Sequence, residues 1–79
     1  AQPDAPSAAE TAEEHAERAA VVQALRALPR RQRDCVTLRY YYDLPIADIA
    51  ATLGLSVNTV KTHLHRGLEA LGTTLEAQR

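Results

Sequence analysis

Seventy-nine residues carrying nine Lys or Arg against ten Asp or Glu, a net charge of −1, and no Trp, Phe or Met suit a single small domain whose core must be built from Leu, Val, Ile and Ala. That palette favours helix packed on helix over a β-sandwich. The lone cysteine, Cys35, excludes an internal disulfide and a multi-cysteine zinc site, and no run approaches the ~18 apolar residues of a membrane span or the basic and apolar regions of a signal peptide, so the expectation is a soluble chain of the reducing cytoplasm with no membrane partner.

Residues 1–10, AQPDAPSAAE, combine two prolines with small and polar residues and no apolar periodicity, the composition of a solvated linker. The first seventeen residues hold five acids (Asp4, Glu10, Glu13, Glu14 and Glu17). From Arg18 onward nine Lys or Arg face five Asp or Glu, a balance of +4. An acidic leader on a basic body is the charge asymmetry of a nucleic-acid-facing module.

Thr11 has the chemistry of an N-cap, with Glu13 and Glu14 at the positive end of the helix dipole and an apolar stripe of Val21 or Val22, Leu25 and Leu28. Pro29 ends this first helix and opens a second in its first turn, through RRQRDCVTLRYYY. Its inward positions are either Cys35, Leu38 and Tyr42 or Val36 and Tyr40. Tyr40, Tyr41 and Tyr42 cannot all face one way, so at least one is expected in the core. Asp43-Leu44-Pro45 closes the element.

Ile46, Ile49, Ala50 and Leu53 fall at i, i+3, i+4 and i+7 of a short third helix that Gly54 stops. Ser56 then caps a fourth helix whose apolar positions Val57, Val60, Leu64, Leu68 and Leu71 are spaced 3, 4, 4 and 3. Gly67 inside this helix is expected to cost about 1 kcal/mol relative to alanine and to loosen its turn. The predicted fold is all-α, a small bundle of four helices over residues 11–72, with 73–79 as a tail.

Helices three and four cross closely only if the contact residue is small and the turn residue tolerates a left-handed backbone. Ala50, Gly54 and Val60, with Leu55 plugging the corner, meet those demands and form a helix-turn-helix pattern. Their inward orientation leaves Asn58, Thr59, Lys61, Thr62, His63, His65 and Arg66 pointing outward. A major groove admits one such helix, where Lys or Arg pairs with guanine, Asn with adenine, and a Thr methyl touches thymine.

The stretch from Leu25 to Leu71 resembles the C-terminal promoter-recognition domain, region 4, of bacterial sigma factors, nearest to the extracytoplasmic-function subgroup. The resemblance is carried by Leu28-Pro29, Arg31-Gln32-Arg33, Leu38-Arg39-Tyr40-Tyr41, Asp43-Leu44, Ile49-Ala50, Leu53-Gly54, Ser56-Val57, Thr59-Val60-Lys61 and His65-Arg66. It implies a domain that reads the upstream, minus thirty-five promoter element while docking on the β-subunit flap of core RNA polymerase. It further implies DNA contacts at Lys61, Thr62, His63, His65 and Arg66, with Ser56, Asn58, Thr59 and Arg39 touching phosphates or flanking positions. Two positions depart from the family pattern: His63 replaces a usual arginine, and Glu69 a frequent basic residue.

Competing readings follow from the same residues. Thr59-Val60-Lys61-Thr62-His63 also fits the output domain of a LuxR-type response regulator, against which Leu38-Arg39-Tyr40-Tyr41 and His65-Arg66 argue. A third reading makes the chain a protein-interaction module whose helical surface is held by an anti-sigma factor or by the polymerase flap, with DNA secondary. His63 and His65 lie about 200° apart around a helix and cannot share a metal ion. Cys35 reads as a small core residue rather than a redox switch. Arg30, Arg31 and Arg33 suit a solvated run as well as a DNA or polymerase contact. No Ser/His/Asp set, carboxylate pair or phosphate loop supports catalysis, and no cofactor is expected.

Overall fold

The computed structural model describes residues 11–77. The stretch read as a linker, 1–10, and the last two residues of the tail lie outside the described residues. Helix α1, Ala12–Arg26, begins where Thr11 Oγ1 accepts the Glu14 amide at 3.1 Å, which satisfies one of the four unpaired amides of a helix start. Ala24 and Leu28 are buried and Leu25 half-buried, whereas Val21 and Val22 are 41% and 39% exposed. The stripe that enters the core therefore runs along Ala24, Leu25 and Leu28 and leaves the valines outside.

Pro29, with φ −53° and ψ 147°, occupies the N-cap of α2, Arg30–Val36, one position before the first turn expected for it. The helix then widens into a π-helical segment, Thr37–Tyr41, where the Tyr42 amide reaches five residues back to the Thr37 carbonyl at 3.2 Å. The extra residue in that turn rotates everything beyond it out of the α-helical stripe. Ahead of it Cys35 and Val36 are both buried; within and beyond it Leu38 is half-buried, and Tyr40, Tyr41 and Tyr42 are 62%, 79% and 60% exposed. The expectation that one tyrosine joins the core fails for this reason. Instead Tyr41 and Tyr42 meet edge to face, with ring centroids 5.0 Å apart.

The chain leaves the π segment through Asp43, which adopts a left-handed φ of 57°. Two hydrogen bonds hold the corner: the Leu44 amide to the Leu38 carbonyl, and Arg39 Nη1 to the Leu44 carbonyl, both at 3.0 Å. Pro45 caps α3, Ile46–Leu53, and α4 spans Val57–Ala77 without a break. It thus runs through five of the residues read as a tail. Gly72-Thr73-Thr74 is a weak helical sequence, but half-buried Leu71 and Leu75 continue the stripe, and packing overrides propensity.

The core comprises Leu28, Cys35, Val36, Ile49, Ala50, Val60 and Leu64, ringed by Leu25, Leu38, Leu44, Ile46, Leu53, Leu55, Ala70 and Leu71. Burial pushes the Cys35 thiol above its ordinary pKa; the Asp34 charge adds to the shift and Arg31 opposes it. A thiol held in its neutral form within this cluster behaves as a packing residue.

Helix α2 packs principally on α4, and Gly67 faces α2 at this contact. A Cβ at Gly67 would stand 2.8 Å from Val36 Cγ2 and 3.6 Å from Gln32 Cβ. Gly67 is itself buried. Rather than loosening the turn, the missing side chain lets the two helices touch, which corrects the expectation drawn from helix propensity.

Candidate nucleic-acid interface

The joint between α3 and α4 determines which face of α4 is free. Gly54 terminates α3 at φ 69° and ψ 34°, and the Ala50 carbonyl receives both the Gly54 amide and, at 2.9 Å, the Leu55 amide. One carbonyl thereby holds two successive amides in a left-handed cap. Ala50 is 6% exposed and Val60 fully buried, so the small residue and the β-branched residue face the crossing as the sequence pattern requires. Nothing lies within 4 Å of a Cβ built on Gly54. Gly54→Ala should therefore lower stability through backbone strain alone, by about 1 kcal/mol, measurable by urea unfolding; an unchanged midpoint would show that the joint relaxes freely.

Helix α4 starts on Ser56, whose Oγ accepts the Thr59 amide at 3.0 Å and donates to Thr59 Oγ1 at 2.8 Å. The hydroxyls of Ser56 and Thr59 are thus committed to each other and to the helix start. Thr62 Oγ1 likewise donates to the Asn58 carbonyl at 3.0 Å.

The outward ridge contains Asn58, Lys61, Thr62, His65 and Arg66, all exposed. Two residues expected there are displaced to its flank. Thr59 is half-buried, and His63 is half-buried with its Nδ1 enclosed and lacking a hydrogen-bond partner. Both lie toward the Val60 side of the helix, off the outward ridge. Arg39 is half-buried and its Nη1 is used on the Leu44 carbonyl, so its first role is to hold the corner before α3. His65 Nε2 sits 3.8 Å from Glu69 Oε2, with both side chains more than 70% exposed. At that exposure the pair is worth little. The acid places one negative charge at the C-terminal end of an otherwise neutral or basic ridge.

Two features escaped the sequence reading. Val57, counted among the inward positions, is 40% exposed beside Asn58; it stands at the helix start, ahead of the crossing. The second is an apolar groove of about 360 Å³, lined by Val21, Leu25, Tyr40, Tyr41, Leu68 and Leu71 among others. Its signal was present in the valines and tyrosines, but only the π turn brings them onto one surface with Leu68, itself 42% exposed.

Comparison with known proteins agrees with this geometry. The family model described as "Sigma-70, region 4" matches residues 18–71, which takes in every residue of the joint and the ridge. An RNA polymerase sigma-E factor of Streptomyces avermitilis is 41% identical over 76 residues, covering 96% of this chain and 42% of the relative. One from Streptomyces antibioticus is 40% identical over 69 residues, 87% of this chain and 38% of the relative. The extracytoplasmic-function RNA polymerase sigma factor SigW of Bacillus subtilis is 39% identical over 51 residues, 65% of this chain and 27% of the relative. The chain spans about two fifths of the length of the first two relatives. With the helix-turn-helix, the outward ridge and a family match over more than half its length in agreement, the chain belongs to the sigma-70 region 4 family, the helix-turn-helix domain of bacterial sigma factors.

Proposed function

We infer that this chain is the sequence-specific DNA-binding domain of an RNA polymerase sigma factor and that it recognises the upstream, minus thirty-five element of promoters during transcription initiation. The observation that carries the reading is the polar ridge of α4, left exposed by the Ala50–Gly54–Val60 joint. In this reading Lys61, Thr62, His65 and Arg66 enter the major groove, with Asn58 at the leading end, since the N-terminal part of a recognition helix meets the base edges. Ser56, Thr59, His63 and Arg39 flank the ridge and face the phosphates or position the residues that do. The domain recognises DNA and does no chemistry of its own.

Core RNA polymerase is the second partner. We assign the β-subunit flap to the apolar groove between α1, the π segment and α4, because that face offers exposed aliphatic and aromatic surface away from the ridge. An anti-sigma factor covering the groove or the ridge would silence the domain. The setting is the bacterial cytoplasm; among the described residues no helix is long and apolar enough to cross a membrane.

A small domain with few cations binds DNA weakly by itself, and tethering to polymerase on the same promoter raises its effective concentration. Lys61→Ala and Arg66→Ala test the reading. In titrations of promoter duplex across a range of salt, each should weaken binding and reduce the slope of log K against log salt by about one. Binding and slopes equal to wild type for both variants would remove the ridge from the DNA interface.

A further inference from the structure

The hydroxyl groups of the ridge do not all face a ligand, and this decides how one of them reads DNA. Thr62 is exposed at the middle of the outward face, one turn beyond Asn58 and one turn before Arg66. Its hydroxyl has one proton, and that proton is given to the Asn58 carbonyl at 3.0 Å. A threonine bonded back to its own helix has no donor left for a base and keeps only an acceptor's role in its hydroxyl oxygen, while its Cγ2 methyl is left for apolar contact. Only thymine presents a methyl group in the major groove, at C5.

We propose that Thr62 is a specificity-determining residue that selects thymine by methyl-to-methyl contact rather than by hydrogen bonding. The inference rests on the DNA-binding reading of α4 and sharpens it: the ridge combines one dry contact with the charged contacts of Lys61 and Arg66. The exposed polar side chains of Asn58, Lys61, His65 and Arg66 then flank an apolar point that water is driven from on binding. Thr62 thereby adds sequence preference with no dependence on salt, whereas the cationic residues add affinity that salt erodes.

The test separates methyl from hydroxyl on both sides of the interface. The full-length protein, bound to core polymerase, selects duplexes from a random-sequence DNA library, and each thymine of the enriched duplex is then replaced singly by deoxyuridine, which lacks only the methyl. One replacement should weaken wild-type binding about fourfold, the loss expected for one buried methyl group. Thr62→Val, which keeps a methyl and removes the hydroxyl, should bind like wild type and keep the same sensitivity. Thr62→Ser, which keeps the hydroxyl, should bind the thymine duplex about fourfold more weakly and be indifferent to deoxyuridine at that position.

Loss of binding in Thr62→Val with retention in Thr62→Ser would overturn the proposal in favour of a hydroxyl contact. Wild-type binding insensitive to every deoxyuridine would overturn it as well, with the DNA-binding reading intact where Lys61→Ala or Arg66→Ala still weakens binding to the enriched duplex. A library from which no duplex is enriched would sink both. Far-ultraviolet circular dichroism of the two variants confirms that the helix is unchanged, so that a folding defect is not taken for a contact.

Discussion

Gly67→Ala is expected to lower the thermal midpoint of the domain, the reverse of what the same change does on an exposed helix. Helix propensity alone favours alanine by about 1 kcal/mol. The added Cβ, however, would meet Val36 Cγ2 at 2.8 Å, and Val36 is itself buried in the cluster. A β-branched side chain has few rotamers to retreat into, and overpacking a filled core typically costs 1–3 kcal/mol. The clash outweighs the propensity, leaving a net loss of about 1 kcal/mol, or about 4–8 °C in a domain of this size. Scanning calorimetry of the two proteins reads the sign directly. A raised midpoint would mean that Val36 moves aside without cost and that the glycine has another reason to be there.

Ile49→Ala should have the larger effect. Ile49 is fully buried and is the largest side chain that the eight-residue α3 commits to the core. Its removal deletes a well-packed aliphatic group and leaves a void that two proline-bounded and glycine-bounded helix ends hold open, a change that costs about 2–5 kcal/mol. A core of this size supplies about 3–5 kcal/mol in all, so the variant should lose a large share of its stability and its unfolded fraction at 37 °C should rise steeply. Because α3 carries the joint that aims α4, DNA binding should fall with the fraction folded. The milder Ile49→Val should lose only about 0.5–1.5 kcal/mol and keep its binding. Denaturant titration of the pair gives both numbers; a loss below 1 kcal/mol for the alanine variant would show that the core closes over the missing atoms.

Much of this architecture could be read from the residues because it obeys local rules. The Thr11 and Ser56 caps, the left-handed Gly54, and the burial of Ala50 and Val60 each follow from one residue type in one backbone setting. What escaped depended on spacing that only tertiary structure sets. The π turn after Val36 adds a residue to the helical count, so a stripe extrapolated with a period of 3.6 sends Tyr40 or Tyr42 inward when both emerge. Gly67 carries an unfavourable propensity and discloses its purpose only when Val36 is placed against it. On the ridge, Lys61, Thr62, His65 and Arg66 fell where the helical wheel put them. His63 and Thr59 did not fall clear of the body, because the wheel cannot say how wide a sector of α4 the rest of the domain covers. Nor could it reveal which hydroxyls would be spent within the helix, since Ser56, Thr59 and Thr62 look equally available in a string of letters.

The continuity of α4 from Val57 to Ala77 has a mechanical meaning. Lys61 and Arg66 on one stretch of it, and Leu68 and Leu71 on the next, are mounted on a single stiff rod with no hinge between them. Each residue of α-helix advances about 1.5 Å and turns about 100°, so the number of residues between these two groups fixes the angle and offset between the polar ridge and the apolar groove. The helix is in that sense a ruler and a protractor together, and its length is part of what it encodes.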